Sequence, residues 1–158
     1  MAIPISVEGF RKLNEELENL KSQRPEVIQA IKEAREEGDL RENGGYEAAR
    51  ERQSMLEARI NYIESRMSQF NVIDINEMSG KKAVFGATVE VEDLDNGEVR
   101  RFTLLGPDEY DYANGSISVH SPVGQAVLGK EAGDEAVVDA PRGKIHYEIR
   151  SVEFLGRK

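Results

Sequence analysis

The stretch EEGDLRENGGYEAARE, Glu36–Glu51, sets two acids, Asp39 and Glu42, beside three glycines, Gly38, Gly44 and Gly45. Helix-like runs flank it. Before it, apolar residues fall at Phe10, Leu13, Leu17, Leu20, Val27, Ile31 and Ala34; after it, Ala49, Leu56, Ile60, Ile63, Met67 and Phe70 follow, with the polar Gln53 in series. Steps of three and four are a heptad pattern. Arg24 sits where an apolar residue would fit, and Pro25 predicts a kink or a short break near Arg24–Pro25, because proline lacks the backbone N–H a helix needs.

Two heptad runs joined by a short turn predict an antiparallel helical hairpin. Setting Ala34 against Ala49, Ile31 against Gln53, Val27 against Leu56, Arg24 against Ile60, Leu20 against Ile63, Leu17 against Met67 and Leu13 against Phe70 aligns the seam about one turn near 38–45. Each arm is about 30 residues, or roughly 45 Å at the helical rise.

The pattern changes near Ile75. NEMSGKK reads as a linker, and strand-like alternation follows from Ala83. AVFGATVEVEDL and EVRRFTLL flank Asp95-Asn96-Gly97, a hairpin turn signal. SISVH is a short strand, and SPVGQAVLGK a short helix with Ser121 as cap, Pro122 at its first position and Gly129 as stop. EAVVDA, the turn PRG and KIHYEIRSVEFL form a last hairpin. The fold expected is α+β in two domains: residues 1–76, a helical coiled-coil hairpin, and residues 77–158, an antiparallel sheet with one short helix.

The chain has 158 residues, 32% charged, and a net charge of −9. Residues 1–77 hold 11 basic and 16 acidic side chains, and residues 78–158 hold 10 and 14. Neither half has the basic surplus of a general nucleic-acid binder. No cysteine is present, which excludes disulfides and thiolate metal sites. His120 and His146 are far apart, which disfavours zinc. The N-terminus lacks a basic segment followed by a long apolar core, so neither a signal peptide nor a membrane span is expected, and a cytoplasmic location is.

Asp39 and Glu42 have the spacing of a capping box, Asp39 at the cap and Glu42 three residues on, with Gly38 ending the first helix. Capping leaves two features unexplained. Gly44 and Gly45 fall in the first helical turn, each costing up to about 1 kcal/mol relative to alanine. Glu36, Glu37, Asp39 and Glu42 also crowd one end of a hairpin, where a cation or positive surface would relieve their repulsion. Two carboxylates alone hold Mg²⁺ weakly, so this tip suits completing a site on another molecule.

RPEVIQAIKEAREEGDLRENGGYEAARERQ, Arg24–Gln53, resembles the hairpin tip of the bacterial Gre transcript-cleavage factors, closest to their GreA type, and ISVHSPVGQAVLGKEAGDEAVV, Ile117–Val138, resembles their C-terminal domain. The resemblance extends through IPISVEGFRKLNEELENLK and VIDINEMSGKKAVFGATVEV, and so over nearly the whole chain. It implies an FKBP-like C-terminal domain that docks on RNA polymerase at the rim of its secondary channel, and a hairpin that enters the channel. It implies that Asp39 and Glu42 assist the polymerase active site in cleaving backtracked RNA, holding a second Mg²⁺ only when docked. Arg35 and Arg50 match basic residues suited to the nascent RNA 3′ end, though both also fit i,i+4 partners on solvated helix faces. His120, Ser121 and Pro122 match the polymerase-docking stretch. No cofactor of its own, membrane or small-molecule substrate is implied, and the chain alone is expected to be catalytically silent. Two departures stand out: Gly45 replaces a third acid of the family tip, and His120 stands where Asp or Asn is common.

Two rivals remain at this point. One is a regulatory paralogue that occupies the same channel without cleavage; the GDLxEN tip disfavours it. The other is an FKBP-like prolyl isomerase. It needs an aromatic-lined apolar pocket, for which the C-terminal half offers Phe85, Phe102, Tyr110, Tyr112, Tyr147 and Phe154 and no tryptophan.

Overall fold

The computed structural model describes residues 2–37 and 44–155. Gly38, Asp39 and Glu42 lie outside the described residues, as does the capping box expected there. The chain divides into two compact units, Arg11–Gln69 and Met1–Phe10 with Phe70–Lys158. The division is not a single cut, because both the first strand and the strand after the hairpin belong to the sheet unit.

The helical unit contains most of α1 (Val7–Ser22), then α2 (Arg24–Glu36) and α3 (Gly44–Met67). The break expected at Pro25 falls at Gln23. Pro25 occupies the first turn of α2, where a missing N–H leaves no bond unmade. Val27, Ile31, Ala49, Leu56 and Ile60 form one buried cluster, with Leu17, Leu20, Ala30 and Tyr46 packed on its margin. The five residues of the buried cluster, with Leu17 and Leu20, are seam positions that the heptads mark. The small Ala34 and Ala49 are both buried in the layer nearest the tip, so the helices can approach closely there. Arg24, the charged member of the seam series, turns its guanidinium to Glu57 in a bidentate pair of 2.8 and 2.7 Å.

The two flanks of α3 carry opposite charge. On one, Glu57 faces Arg24, and Glu64 faces Lys21 at 2.9 Å. On the other, Arg59 bridges Glu16 at 2.7 and 3.0 Å, and Arg52 approaches Glu26 at 3.9 Å. Exposed pairs of this kind stabilise by only about 0–1 kcal/mol each. Their larger effect is on register, since a slipped or reversed helix would set like charges together. The bond to Arg59 comes first in holding the Glu16 carboxyl below its ordinary pKa, and the bond to Arg24 does the same for Glu57.

The sheet unit begins with β1 (Ile3–Ser6), which pairs in parallel with β2 (Phe70–Ile73). Phe70 therefore lies in a strand, not at the end of the second heptad run, and α3 stops at Met67. Its ring meets Phe10 edge-on, centroids 6.1 Å apart, in place of the expected Leu13. The reason is chemical as well as positional: FNVI contains β-branched residues that favour an extended backbone once β1 offers an edge. The Glu109 carboxylate fastens β1 by accepting from Ser6 N–H and Gly106 N–H, both at 3.0 Å, and from the Ser6 hydroxyl. A side chain at Gly106 would stand 2.0 Å from the Pro4 carbonyl oxygen, so only glycine admits this approach.

The main sheet contains β3 (Thr88–Asp93), β4 (Val99–Leu105), β5 (Ser116–Ser118), β6 (Glu135–Ala140) and β7 (Gly143–Glu153), in the order β5-β4-β3-β7-β6. Four strands are antiparallel, as expected; the edge strand β5 joins β4 in parallel, making the sheet mixed. Gly97 turns β3 into β4 with a φ of 74°, the left-handed conformation its Asp-Asn-Gly setting predicts. The short helix α4 (Pro122–Val127) carries Val127 into the core, which includes Val89, Val91, Leu104 and Ile149.

Two outcomes follow from the helical packing. Ile60 is 0% exposed whereas Leu20 is only half-buried. Ile60→Ala should lower stability by about 2–5 kcal/mol and Leu20→Ala by about 1–2 kcal/mol, measured by denaturant unfolding followed by helical circular dichroism. A larger loss at Leu20 would contradict the observed seam.

The second outcome concerns pH. Carboxylates with depressed folded pKa values stabilise above their unfolded pKa of about 4.3, and that contribution is lost as pH falls through the folded values. The melting temperature should fall as pH drops from about 5 to about 2, and should fall less in Glu16→Gln/Glu57→Gln. Equal falls in both proteins would show that the flanking pairs contribute nothing.

Candidate functional site

Two regions hold the residues that the sequence singles out. At the tip end of the helical unit, Arg35 stands in the last turn of α2, one residue beyond the buried Ala34. Its guanidinium lies 5.9 Å from the centre of the Tyr46 ring, a cation–π distance. Tyr46 is packed on the hydrophobic cluster. Arg50 stands exposed on α3, one residue beyond the buried Ala49. The two arginines thus follow the two members of the last seam layer. Gly44 opens α3, and no atom lies within 4 Å of where its Cβ would be. Packing does not demand glycine there. Asp39 and Glu42 fall in the undescribed residues between the arms. Among the described residues no three carboxylate or imidazole side chains gather to hold a metal ion.

The second region is a cleft of about 310 Å³ in the sheet unit. Alternate residues of β4, Arg100 and Phe102, face it, as do Ile145 and Tyr147 from β7. A strand's side chains alternate between faces, so each pair lies on one side. Val138 and the turn after β6 close one wall, and Tyr110 and Tyr112 from the β4–β5 connection close another. The start of α4 forms the rim. Ser121 caps that helix: its hydroxyl accepts from Gly124 N–H at 3.1 Å and donates to the Ser118 carbonyl at 2.7 Å. A side chain at Gly124 would reach within 2.4 Å of the same carbonyl. Gln125 ties the loop down by donating to the Val119 carbonyl at 2.8 Å.

Ser121 and Pro122 therefore line the cleft, with Pro122 exposed at its edge. His120 is exposed and does not line it; its backbone N–H donates to Ser118 Oγ at 3.0 Å. Among the aromatics of the C-terminal half, Phe102, Tyr110, Tyr112 and Tyr147 converge on the cleft. An aromatic-lined pocket is thus present, and the want of one does not count against peptide binding. Sequence reasoning passed over Arg100 altogether. Its guanidinium donates to Tyr112 Oη at 2.8 Å and to Tyr147 Oη at 3.4 Å. The Tyr147 contact comes first in raising its pKa above the ordinary arginine value, and burial opposes it. The one available signal was the i,i+2 alternation of Arg100 with Phe102.

Residues 3–72 match the family described as transcription elongation factor, N-terminal, and residues 78–154 match transcription elongation factor, GreA/GreB, C-terminal. The transcription elongation factor GreA of Nitratidesulfovibrio vulgaris is 73% identical over 157 residues, covering 99% of this chain and 96% of that protein. The GreA of Solidesulfovibrio magneticus is 71% identical over 155 residues, covering 98% and 94%. Among solved structures, the GreA factor homolog 1 (Gfh1) protein of Thermus thermophilus is 28% identical, with 97% of this chain and 99% of that one covered and a TM-score of 0.45. With both halves matched in order and seven-tenths of its residues shared with named relatives, this chain belongs to the GreA/GreB family of transcription elongation factors.

Proposed function

We propose that this chain binds RNA polymerase, enters its secondary channel with the helical hairpin, and stimulates endonucleolytic cleavage of nascent RNA in backtracked, arrested complexes. The observation that carries the reading is the tip sequence Gly38-Asp39-Leu40-Arg41-Glu42-Asn43 between two antiparallel helices in a chain of this family. A hairpin presents its turn at the far end of both arms. Carboxylates placed there can enter a site that a globular surface cannot.

Asp39 and Glu42 are hard oxygen donors, the class that suits Mg²⁺, but two carboxylates leave most of an octahedral shell to other donors. Those donors belong to the polymerase, the RNA and water. Held jointly in that way, Mg²⁺ would supply Lewis-acid charge at the scissile phosphate. Asp39 and Glu42 contribute negative charge and position; neither arm brings a nucleophile. Arg35 and Arg50 supply positive charge to the RNA backbone near its 3′ end. The chain in this reading is a factor that stimulates the polymerase's own hydrolysis, has no cofactor of its own, and works in the cytoplasm. Ser121 and Pro122, with His120 beside them, meet the polymerase at the channel rim.

The two tip acids favour this reading over a channel-occupying inhibitor. An inhibitor has no need of two acids at the turn, whereas a cleavage factor depends on them. Asp39→Ala and Glu42→Ala should each abolish stimulated cleavage on a stalled, backtracked elongation complex while leaving polymerase binding within about twofold, well under the tenfold that 1.4 kcal/mol gives. Asp39→Asn distinguishes charge from capping, because Asn caps a helix as well as Asp does. It should also lose activity; full activity in Asp39→Asn would reduce Asp39 to a helix cap.

A further inference from the structure

The first turn of α1 contains Gly9, where alanine would be the better helix former. The side chain lying against it is the reason. A Cβ at Gly9 would stand 2.3 Å from Glu109 Oε1 and 2.9 Å from Glu109 Cβ. The same carboxylate accepts from the Ser6 and Gly106 N–H groups and from the Ser6 hydroxyl. That hydroxyl oxygen in turn accepts from Gly9 N–H at 3.0 Å, capping the helix. Strand β1, the first turn of α1 and the β4–β5 connection thus meet on one carboxylate. Its negative charge also suits the start of a helix. Ser6 is only 4% exposed, so little water reaches the bonds it makes.

All of these groups belong to the sheet unit, whereas α1 runs on past Phe10 into the helical unit as one unbroken helix. Holding its first turn therefore holds the start of the arm. The β1–β2 ladder is four residues long, and a two-stranded sheet by itself is marginal in water. Leverage makes the mounting matter. The 24 residues of α3 extend about 36 Å at the helical rise, so one degree of rotation at the base moves the far end by about 0.6 Å. Carboxylates sharing a metal ion tolerate errors of only about 0.2 Å, and a misplacement of about 1 Å can cost about 100-fold in rate. We infer that Glu109 is a positioning residue for transcript cleavage: its carboxylate clasps the first turn of α1 to the β4–β5 connection and fixes the direction in which the arm leaves. The inference rests on the reading that the hairpin carries Asp39 and Glu42 to the polymerase active site. Glu109 acts there only through α1.

The test is cleavage stimulated by the full chain on a backtracked elongation complex, followed across factor concentration so that the maximal rate and the half-maximal concentration are read separately. Glu109→Ala, Glu109→Gln, Gly9→Ala and Val91→Ala are compared with the parent. Glu109→Ala should lower the maximal rate roughly ten- to hundredfold, with the half-maximal concentration kept within about twofold. Glu109→Gln keeps the shape and one acceptor oxygen and should recover part of the loss. Gly9→Ala displaces the carboxylate and should lower the maximal rate about tenfold, although alanine is the better helix former. Val91→Ala thins the sheet core and leaves the clasp residues unaltered; it should lower the melting temperature and keep the parent's maximal rate. Melting temperatures show which variants are folded in the assay; if Glu109→Ala is not, Gly9→Ala and Glu109→Gln decide. Variants at Glu109 and Gly9 that reach the parent's maximal rate would overturn the inference and leave the proposed function standing. An equal loss of maximal rate in Val91→Ala would overturn it too, because stability alone would then account for the effect. A parent that stimulates no cleavage would overturn the proposed function, and this inference with it.

Discussion

Ile60 has no exposed surface, and α3 cannot hide it by itself. A lone amphipathic helix leaves its apolar stripe in water, so most of its stability must come from a second helix packed against that stripe. The burial of the α3 seam by α2 is therefore the constraint from which the hairpin follows. Val27 and Ile31 supply the opposing surface, and the alanines at 34 and 49 let the helices close towards the turn. Hydrophobic burial is not directional, however. Direction and register come from the charges, with Glu57 and Glu64 on one side of α3 and Arg52 and Arg59 on the other. The break at Gln23 interrupts the arm without interrupting that pattern, because Pro25 sits where helices tolerate it.

The sheet unit obeys a different requirement. Its strands expose one face of β4 and β7 to a cleft instead of covering it completely, and α4 closes only the rim. Keeping α4 in place uses the Ser121 hydroxyl twice and requires glycine at 124. Ser121 thus has a structural duty whatever it meets outside. Pro122 is exposed at the helix start. Arg100 adds to the cleft a charge that the Tyr112 and Tyr147 hydroxyls orient.

The parts legible in the sequence were those governed by local periodicity and turn chemistry. The heptads mark every residue of the buried helical cluster, and Asp95-Asn96-Gly97, Ser121-Pro122 and Gly129 marked a turn, a helix start and a helix end. What escaped was set by distant pairing. FNVI continues the heptad count through Phe70, and only the presence of Ile3–Ser6 alongside makes it a strand. The parallel placement of β5 depends on the path of the β4–β5 connection, which no local pattern specifies. The cleft gathers residues from Arg100 to Tyr147, so its aromatics looked scattered in the sequence. Arg100 was indistinguishable from Arg101 until the two faces of β4 were separated. The tip acids were legible as a motif.

The hairpin's length is what gives its turn reach, and one measurement addresses reach directly. Deleting residues 24–30 and 53–59 together removes one heptad from each arm, takes away Arg24 and Glu57 as a pair, and sets Ile31 opposite Ile60. The heptad register is preserved although Val27 and Leu56 leave the cluster together, and the arms shorten by about 10 Å. Positioning of metal-binding carboxylates tolerates errors of only about 0.2 Å. In a transcript-cleavage assay on a backtracked elongation complex, the parent chain should stimulate cleavage, while the shortened chain should compete for the polymerase and stimulate none. Equal cleavage by the two proteins, or no stimulation by the parent, would contradict a hairpin whose reach places Asp39 and Glu42 at the reacting phosphate.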